Sequence, residues 1–260
     1  MRLQHMTWPQ AQDYFTRKDL VLLGVGSNEC HGRHIALGTD TLVPEKLLEL
    51  IEARAPEYLI APVVPYGDCD DLMGFPGSIS LGPDVLRAVM TRITDALYDC
   101  GVRRFAIVNG HGGNIRTLEE VGCALHRRGA WCALLNWWKM AGELNPAWAG
   151  GHGGGQETAA VMAVDPALVD RSAIDGQMLC NDAGDTLPTN GFDFVRYKGV
   201  NVELPRDVHQ YAHNGWIGPD HPKDATEEWG REMLNATADY IVDFLAEFSR
   251  IPLPAPTRFL

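Results

Sequence analysis

Leu20-Val21-Leu22-Leu23-Gly24-Val25 runs directly into Gly26-Ser27-Asn28-Glu29-Cys30-His31-Gly32-Arg33-His34, joining an unbroken apolar run to a loop dense in carboxylate and imidazole. An apolar run without alternation predicts a strand buried on both faces, as in the middle of a parallel sheet. The pattern recurs downstream. Pro44 opens a helical pattern whose apolar face is Leu47, Leu48, Leu50 and Ile51. Tyr58 to Val64 reads as a second strand. Pro83 leads into the helical stripe Val85, Leu86, Val89, Met90, Ile93 and Leu97, closed by Gly101. Phe105 to Val108 is a third strand, Asn114 to Arg128 a helix, and Trp131 to Leu135 a fourth strand. Such alternation is the signature of β-α-β units, and it predicts an α/β domain with a mostly parallel central sheet and helices on both faces.

The remainder is less regular. Glu157 to Val164 predicts a short helix stopped by Asp165-Pro166. Residues 175 to 222, rich in Gly, Asp, Asn and Pro, read as long loops with a hairpin, and long ordered loops are usually functional. A helix from about Ala225 to Phe248 closes the chain, with Asp224 and Glu227 at capping-box spacing. No linker or repeat interrupts this order, so residues 1–260 are expected to form a single domain.

Bulk properties narrow the function. A net charge of −12 argues against nucleic acid or an anionic membrane as partner. Met1 to Trp8 is polar and lacks a signal-peptide core, and no stretch approaches the ~18 to 20 apolar residues of a membrane span. The six cysteines form no C-x-x-C pair and read as reduced thiols. A cytoplasmic location is expected.

In an open parallel sheet, ligands bind outside the carboxyl ends of the strands. Glu29 and His31 follow the first strand, His111 of Asn109-Gly110-His111-Gly112-Gly113-Asn114 follows the third, and Trp137 and Trp138 follow the fourth. All share one rim. In an extended loop Glu29 and His31 point one way and Cys30 the other, which argues against Cys30 as a nucleophile. Asp40 lies shortly before the next helix. Carboxylate and imidazole suit Zn²⁺, Mn²⁺ or Fe²⁺, and one carboxylate can bridge two cations ~3.5 to 4 Å apart. Gly24-Val25-Gly26 begins a dinucleotide fingerprint, but Glu29 stands where the third glycine is needed. His209, His213 and His221 read as solvated loop residues. Asp68, Asp70 and Asp71 either face the site or cap their loop.

These residues resemble the creatininase (creatinine amidohydrolase) family. The family pattern G-S-x-E-x-H-G-x-H appears as Gly26 to His34 with Asp40 downstream. F-P-G-T-x-S-L appears as Phe75-Pro76-Gly77-Ser78-Ile79-Ser80-Leu81, the strand-N-G-H segment as Val108 to His111, and H-x-G-x-x-E-T as His152 to Thr158. The resemblance runs from about residue 18 to 235. It implies a three-layer α/β/α fold, a binuclear metal centre of two divalent ions (Zn, Mn or Fe), and a homo-oligomer, typically a hexamer. By position, Glu29, Asp40 and His111 would hold one metal, and His31 and Asp40 the other. Creatinine-hydrolysing members carry a metal-binding Glu where this chain has Gly113; Glu157 is expected to supply that ligand and to take part in catalysis. Many members have Glu-His before F-P-G-T, whereas this segment reads Asp70-Asp71-Leu72-Met73. His152, in a glycine-rich loop, is expected to shuttle a proton to the leaving group, and His34, Ser78, Trp138 and Trp148 are the expected substrate contacts.

The reading that results is a metal-dependent hydrolase of a small, cyclic amide. Formamide hydrolysis and ring opening of an oxidised cyclitol of the inosose type are alternatives. A scaffold protein that kept the fold and lost turnover is the alternative from another class.

Overall fold

Every residue of β1 (Leu20–Val25) is buried, as its unbroken apolar run requires. The computed structural model describes residues 1–257. In it, β1 lies between β2 (Leu59–Ile60) and β3 (Arg104–Asn109), and β3 pairs with β4 (Trp131–Asn136), giving the order β2-β1-β3-β4. All three pairings are parallel, with Val25 opposite Asn109 and Asn109 opposite Asn136. The carboxyl ends of β1, β3 and β4 are therefore level.

Alternate residues of these strands feed two cores. Leu20, Leu22, Ala106, Val108 and Leu135 pack with α2 (Thr39–Arg54), α5 (Trp137–Leu144), α6 (Gly155–Val164) and α8 (Glu227–Phe248). Val21, Leu23, Val25, Phe105 and Ile107 pack with α1 (Trp8–Arg17), α3 (Gly82–Asp99) and α4 (Asn114–Arg127). The result is three layers, helices on each side of one sheet. A third small cluster, Cys69, Leu72, Val208, Tyr211, Ala212 and Ile217, lies apart from both. It includes both buried residues of α7 (Val208–Tyr211). The antiparallel hairpin β5–β6 (Phe194–Tyr197 and Val200–Glu203) supplies the expected turn-rich element of the long loop region.

Helix α6 is unusual in being buried from Gly155 through Met162. A Cβ built on Gly230 of α8 would lie 1.8 Å from the Ala159 carbonyl oxygen, so only glycine permits this crossing.

Three local expectations are corrected and one unpredicted helix is added. Helix α2 begins at Thr39, and Pro44 lies inside it rather than opening it. The missing proline N–H leaves the Asp40 carbonyl without its helical donor, and that carbonyl lies where a side chain on Gly110 would be, 1.8 Å from an ideal Cβ. Strand β2 is two residues long instead of seven, because Pro62 removes a ladder donor on this edge strand; a single further bridge joins Val64 to Val25. Thr226, not Asp224, caps α8, accepting a hydrogen bond from Trp229 N. Helix α1 had no counterpart in the sequence reading, since Tyr14 is its one buried residue. Among the described residues, no helix is long and apolar enough to cross a membrane.

Candidate metal centre

Three loops meet at the level rim. Asn109, the last residue of β3, donates its amide to the His111 carbonyl (2.8 Å) and to Asn136 Oδ1 (2.8 Å), while its own oxygen accepts from His111 N (3.2 Å). Asn114 donates to the Gly26 carbonyl (3.0 Å) and accepts from Asp68 N (3.0 Å). Two buried asparagines thus tie the loop after β1, the loop before α3 and the loop after β3 to one another, at the cost of no unpaired amide in the network.

The predicted ligands converge here. Asp40 sits in the first turn of α2, and its two oxygens face opposite ways: Oδ1 lies 3.0 Å from His31 Nε2 and Oδ2 lies 3.1 Å from His111 Nδ1. Glu29 Oε1 is 3.0 Å from His111 Nδ1, and Glu157 Oε2, in the first turn of α6, is 3.6 Å from His31 Nε2. The donor atoms fall into groups compact enough to share a cation: Glu29, Asp40 and His111; His31, Asp40 and Glu157; and Glu29, His31 and His152.

Ring orientation says what fits between them. His31 Nδ1 lies 3.2 Å from the Glu29 carbonyl, His111 Nε2 2.7 Å from the Asp68 carbonyl, and His152 Nε2 2.8 Å from the Cys30 carbonyl. A carbonyl only accepts, so each of these nitrogens carries an N–H, and in a neutral ring the other nitrogen turns a lone pair toward the carboxylates. Both oxygens of Glu29 and Oδ2 of Asp40 are buried without a hydrogen-bond donor. Lone pairs facing buried, orphaned carboxylate oxygens are unfavourable unless a positive charge lies between them. Divalent cations meet that need, and the oxygen and nitrogen donor set suits them.

Left to protons alone, the cluster gathers them. Burial opposes charge on His31, but Asp40 and Glu157 outweigh it and push the imidazole up to about 10. Burial likewise opposes charge on His111, yet Glu29 and Asp40 raise it well above its ordinary value. Burial lifts Glu157 up to about 7, against the pull of His31. His152 behaves oppositely: burial, then the neighbouring His31, push it down to about 3, so its ring is neutral. Its Nδ1 stands 4.0 Å from Glu29 Oε1.

The glycine-rich loop that carries His152 is fastened from a distance. Asp220 Oδ1 accepts from Gly151 N (2.9 Å) and Oδ2 from Gln156 N (2.7 Å), so one carboxylate holds the loop at both ends and caps α6. Side chains on Gly150 or Gly154 would collide with it, at 2.5 and 2.4 Å from its oxygens. Replacing Asp220 by Ala is expected to lower stability by about 2–3 kcal/mol, the usual loss for charge-assisted bonds to buried amides. Chemical denaturation reads this, and Asp220→Asn, which keeps an acceptor, should fall between.

The cluster lies in a cavity of about 450 Å³ whose lining includes Glu29, Asp40, His111, Trp138, His152 and Glu157. Three expected substrate contacts are not part of that lining. His34 is buried against Thr158 Oγ1 (3.0 Å). Ser78 Oγ accepts from Cys30 N (3.1 Å) and braces the ligand loop. Trp148 packs on the helical core beside α6 and α8. Trp137 and Trp138 begin helix α5 instead of extending β4; Trp137 is buried and Trp138 lines the cavity. Asp71, Gln156, Phe192, Asp193 and Ile217 also line it. Of these Asp71 had a signal, its place in an acidic stretch, and Gln156 stands within the His152 to Thr158 motif, in the first turn of α6; Phe192, Asp193 and Ile217 arrive on loops without periodicity.

Comparison with known proteins identifies the family and the fold. A family model for creatininase, described as creatinine amidohydrolase, matches residues 4–245. The chain is 30% identical over 173 residues to the mycofactocin precursor peptide peptidase of Mycobacterium ulcerans (strain Agy99), spanning 63% of this chain and 61% of that protein. The match thus covers less than two thirds of that relative's length. A protein of the same name from Mycolicibacterium smegmatis is 28% identical over 258 residues, covering 92% of this chain and 93% of its own. Creatinine amidohydrolase of Pseudomonas putida is 28% identical over 188 residues, covering 64% and 72%. A crystal structure of creatininase superposes with a TM-score of 0.78 at 23% identity, covering 96% of this chain and 98% of that one.

Proposed function

This chain belongs to the creatininase family of metal-dependent amidohydrolases, and we propose that it hydrolyses an amide bond of a small substrate at a binuclear centre. In this reading Glu29, Asp40 and His111 hold one cation, and His31, Asp40 and Glu157 the other. The observation that carries it is Asp40, which offers one oxygen to each imidazole-carboxylate group. Where creatinine-hydrolysing relatives were expected to place a ligand Glu, a Cβ on Gly113 would come within 2.1 Å of the Asp68 carbonyl oxygen and 2.5 Å of His111 Nε2. That position has no room for a side chain, which supports Glu157 as the substitute.

A bound cation pair supplies a water acidified to near neutrality and a Lewis acid for the substrate carbonyl. The protein's own groups do the rest. Asp40 and Glu29 would neutralise the cations, and the carbonyls of Glu29 and Asp68 orient the rings of His31 and His111. His152, neutral and tied through Nε2 to the Cys30 carbonyl, is free at Nδ1 to accept a proton and return it to the departing amine. Trp138 and Phe192 wall the cavity against water.

A cyclic amide follows from the family resemblance. A peptide amide is the second reading, favoured because the relative that spans nearly the whole chain is named as a peptide peptidase. The test is metal analysis followed by turnover. Zinc- or manganese-loaded protein should bind about two equivalents of metal, and a panel of creatinine, formamides, inososes and short peptides should yield one substrate that gains water. Stoichiometric absence of metal after loading would defeat the proposal.

A further inference from the structure

Besides the candidate metal ligands the same cavity carries two more carboxylates, Asp71 and Asp193, and among the described residues no lysine or arginine lines it. Both also line the adjoining groove with Asp70, Pro205, Arg206 and Asp207, so they form the lip between site and surface. They come from separate elements. Asp71 lies in the short 3-10 turn Asp70–Leu72, anchored by fully buried Leu72. Asp193 directly precedes β5 and adopts a left-handed backbone (φ 58°). That conformation is strained for a residue with a side chain and is held in place by its surroundings. Asp193 N donates to Tyr211 Oη (3.2 Å), the Asp193 carbonyl accepts from Leu204 N (2.7 Å), and Tyr211 Oη donates to Asp193 Oδ1 (3.4 Å).

Among the described residues neither carboxylate is in a salt bridge, although the Arg206 backbone amide and charge and the Tyr211 hydroxyl favour the charged form of Asp193. The Asp71 carboxylate accepts only from its own backbone amide, and burial with the nearby Glu29 charge pushes it up to about 6 although His111 opposes. Arg206 is the nearest cation to Asp193, but its guanidinium is paired with Asp182, bonded to the Leu204 carbonyl (3.1 Å) and laid over the Tyr211 ring at 4.3 Å. Burial still holds Asp193 above the ordinary carboxylate range. Glu29, buried with both oxygens unpartnered, faces the same cavity. Its charge would be answered by the cations of the proposed centre, whereas Asp71 and Asp193 have no ion-pair partner among the described residues.

Two aromatic faces complete the wall. Trp138 and Phe192 line the cavity, and Phe192 meets the His152 ring edge-on at 5.6 Å. Separate carboxylates beside aromatic faces suit a compact ammonium, whose point charge needs no planar partner. We propose that the substrate carries an ammonium group that is held between Asp71 and Asp193 while its amide reaches the metal centre. This inference rests on the hydrolase reading and adds a substrate class to it: small amides bearing a primary amine. Anionic amides are excluded by the same two residues.

The test uses three amides of one size: 4-aminobutanamide, neutral butanamide and anionic succinamate. Each is titrated calorimetrically into metal-loaded protein whose metal content has first been measured. The expected result is binding of 4-aminobutanamide about tenfold tighter than butanamide, with succinamate weakest. In the double variant Asp71→Asn, Asp193→Asn the preference should shrink to about threefold or less, with metal content unchanged; asparagine tolerates the left-handed backbone at 193. Equal affinities in the parent, a preference that survives in the double variant, or binding of none of the amides would each overturn the inference while leaving the hydrolase reading in place. Failure to take up metal would remove both.

Discussion

Replacing Asp40 with alanine is expected to strip both cations of the proposed binuclear centre and to lower the proposed amide hydrolysis on the order of 10³-fold or more, because in that proposal one side chain serves both halves of the site. Its oxygens lie 3.0 Å from His31 and 3.1 Å from His111 on opposite sides. No neighbour can replace it: Glu29 reaches only His111 closely, and Glu157 only His31. Metal analysis of the purified variant is the primary measurement, with circular dichroism as the check on folding. Asp40→Asn keeps the shape of the first turn of α2 and removes only the charge, so it should lose metal while retaining the fold. A variant with the parent's metal content would show that the carboxylate does not bridge.

Replacing His152 with alanine is expected to leave the metal in place and to reduce kcat by about 10²- to 10⁴-fold, the range lost when a positioned acid–base group is removed. KM should change little, since His152 is assigned to proton movement. The measurement separates two roles that the geometry brings close together. His152 shares a ligand-sized group with Glu29 and His31, and its ring lies 4.4 Å from that of His31. Loss of metal along with turnover would make it a ligand. Full turnover with metal retained would remove it from the chemistry altogether.

The parts of this site that were legible in the sequence are those imposed by short-range rules. Strand β1 announced itself because a strand covered on both faces tolerates no polar residue. The level ends of β1 and β3 then placed Glu29, His31 and His111 together, whatever their separation along the chain. Asp40 was harder. Pro44 looked like the start of its helix, whereas the chain starts the helix earlier and leaves the Asp40 carbonyl without a helical donor, beside Gly110. Ser78 and His34 carried the right motif, yet the fold turns them toward backbone and helix. Phe192 and Asp193 were invisible, because their positions depend on Tyr211 and on the hairpin that follows. Tertiary contacts of that kind leave no period in the sequence.

Helix α6 sets the terms on which this architecture can change. Covered from Gly155 to Met162 and pressed against α8 at Gly230, it is expected to exchange its amides only when the whole domain unfolds. Glu157 stands in its first turn, so the floor of the cavity shares the cooperativity of the core. The lip at Asp71 and Asp193 rests instead on the small separate cluster of Leu72 and Tyr211, outside both main cores. The lip can therefore be altered without disturbing the core that carries Glu157, and one hydrolytic apparatus can be fitted to different substrates without being rebuilt.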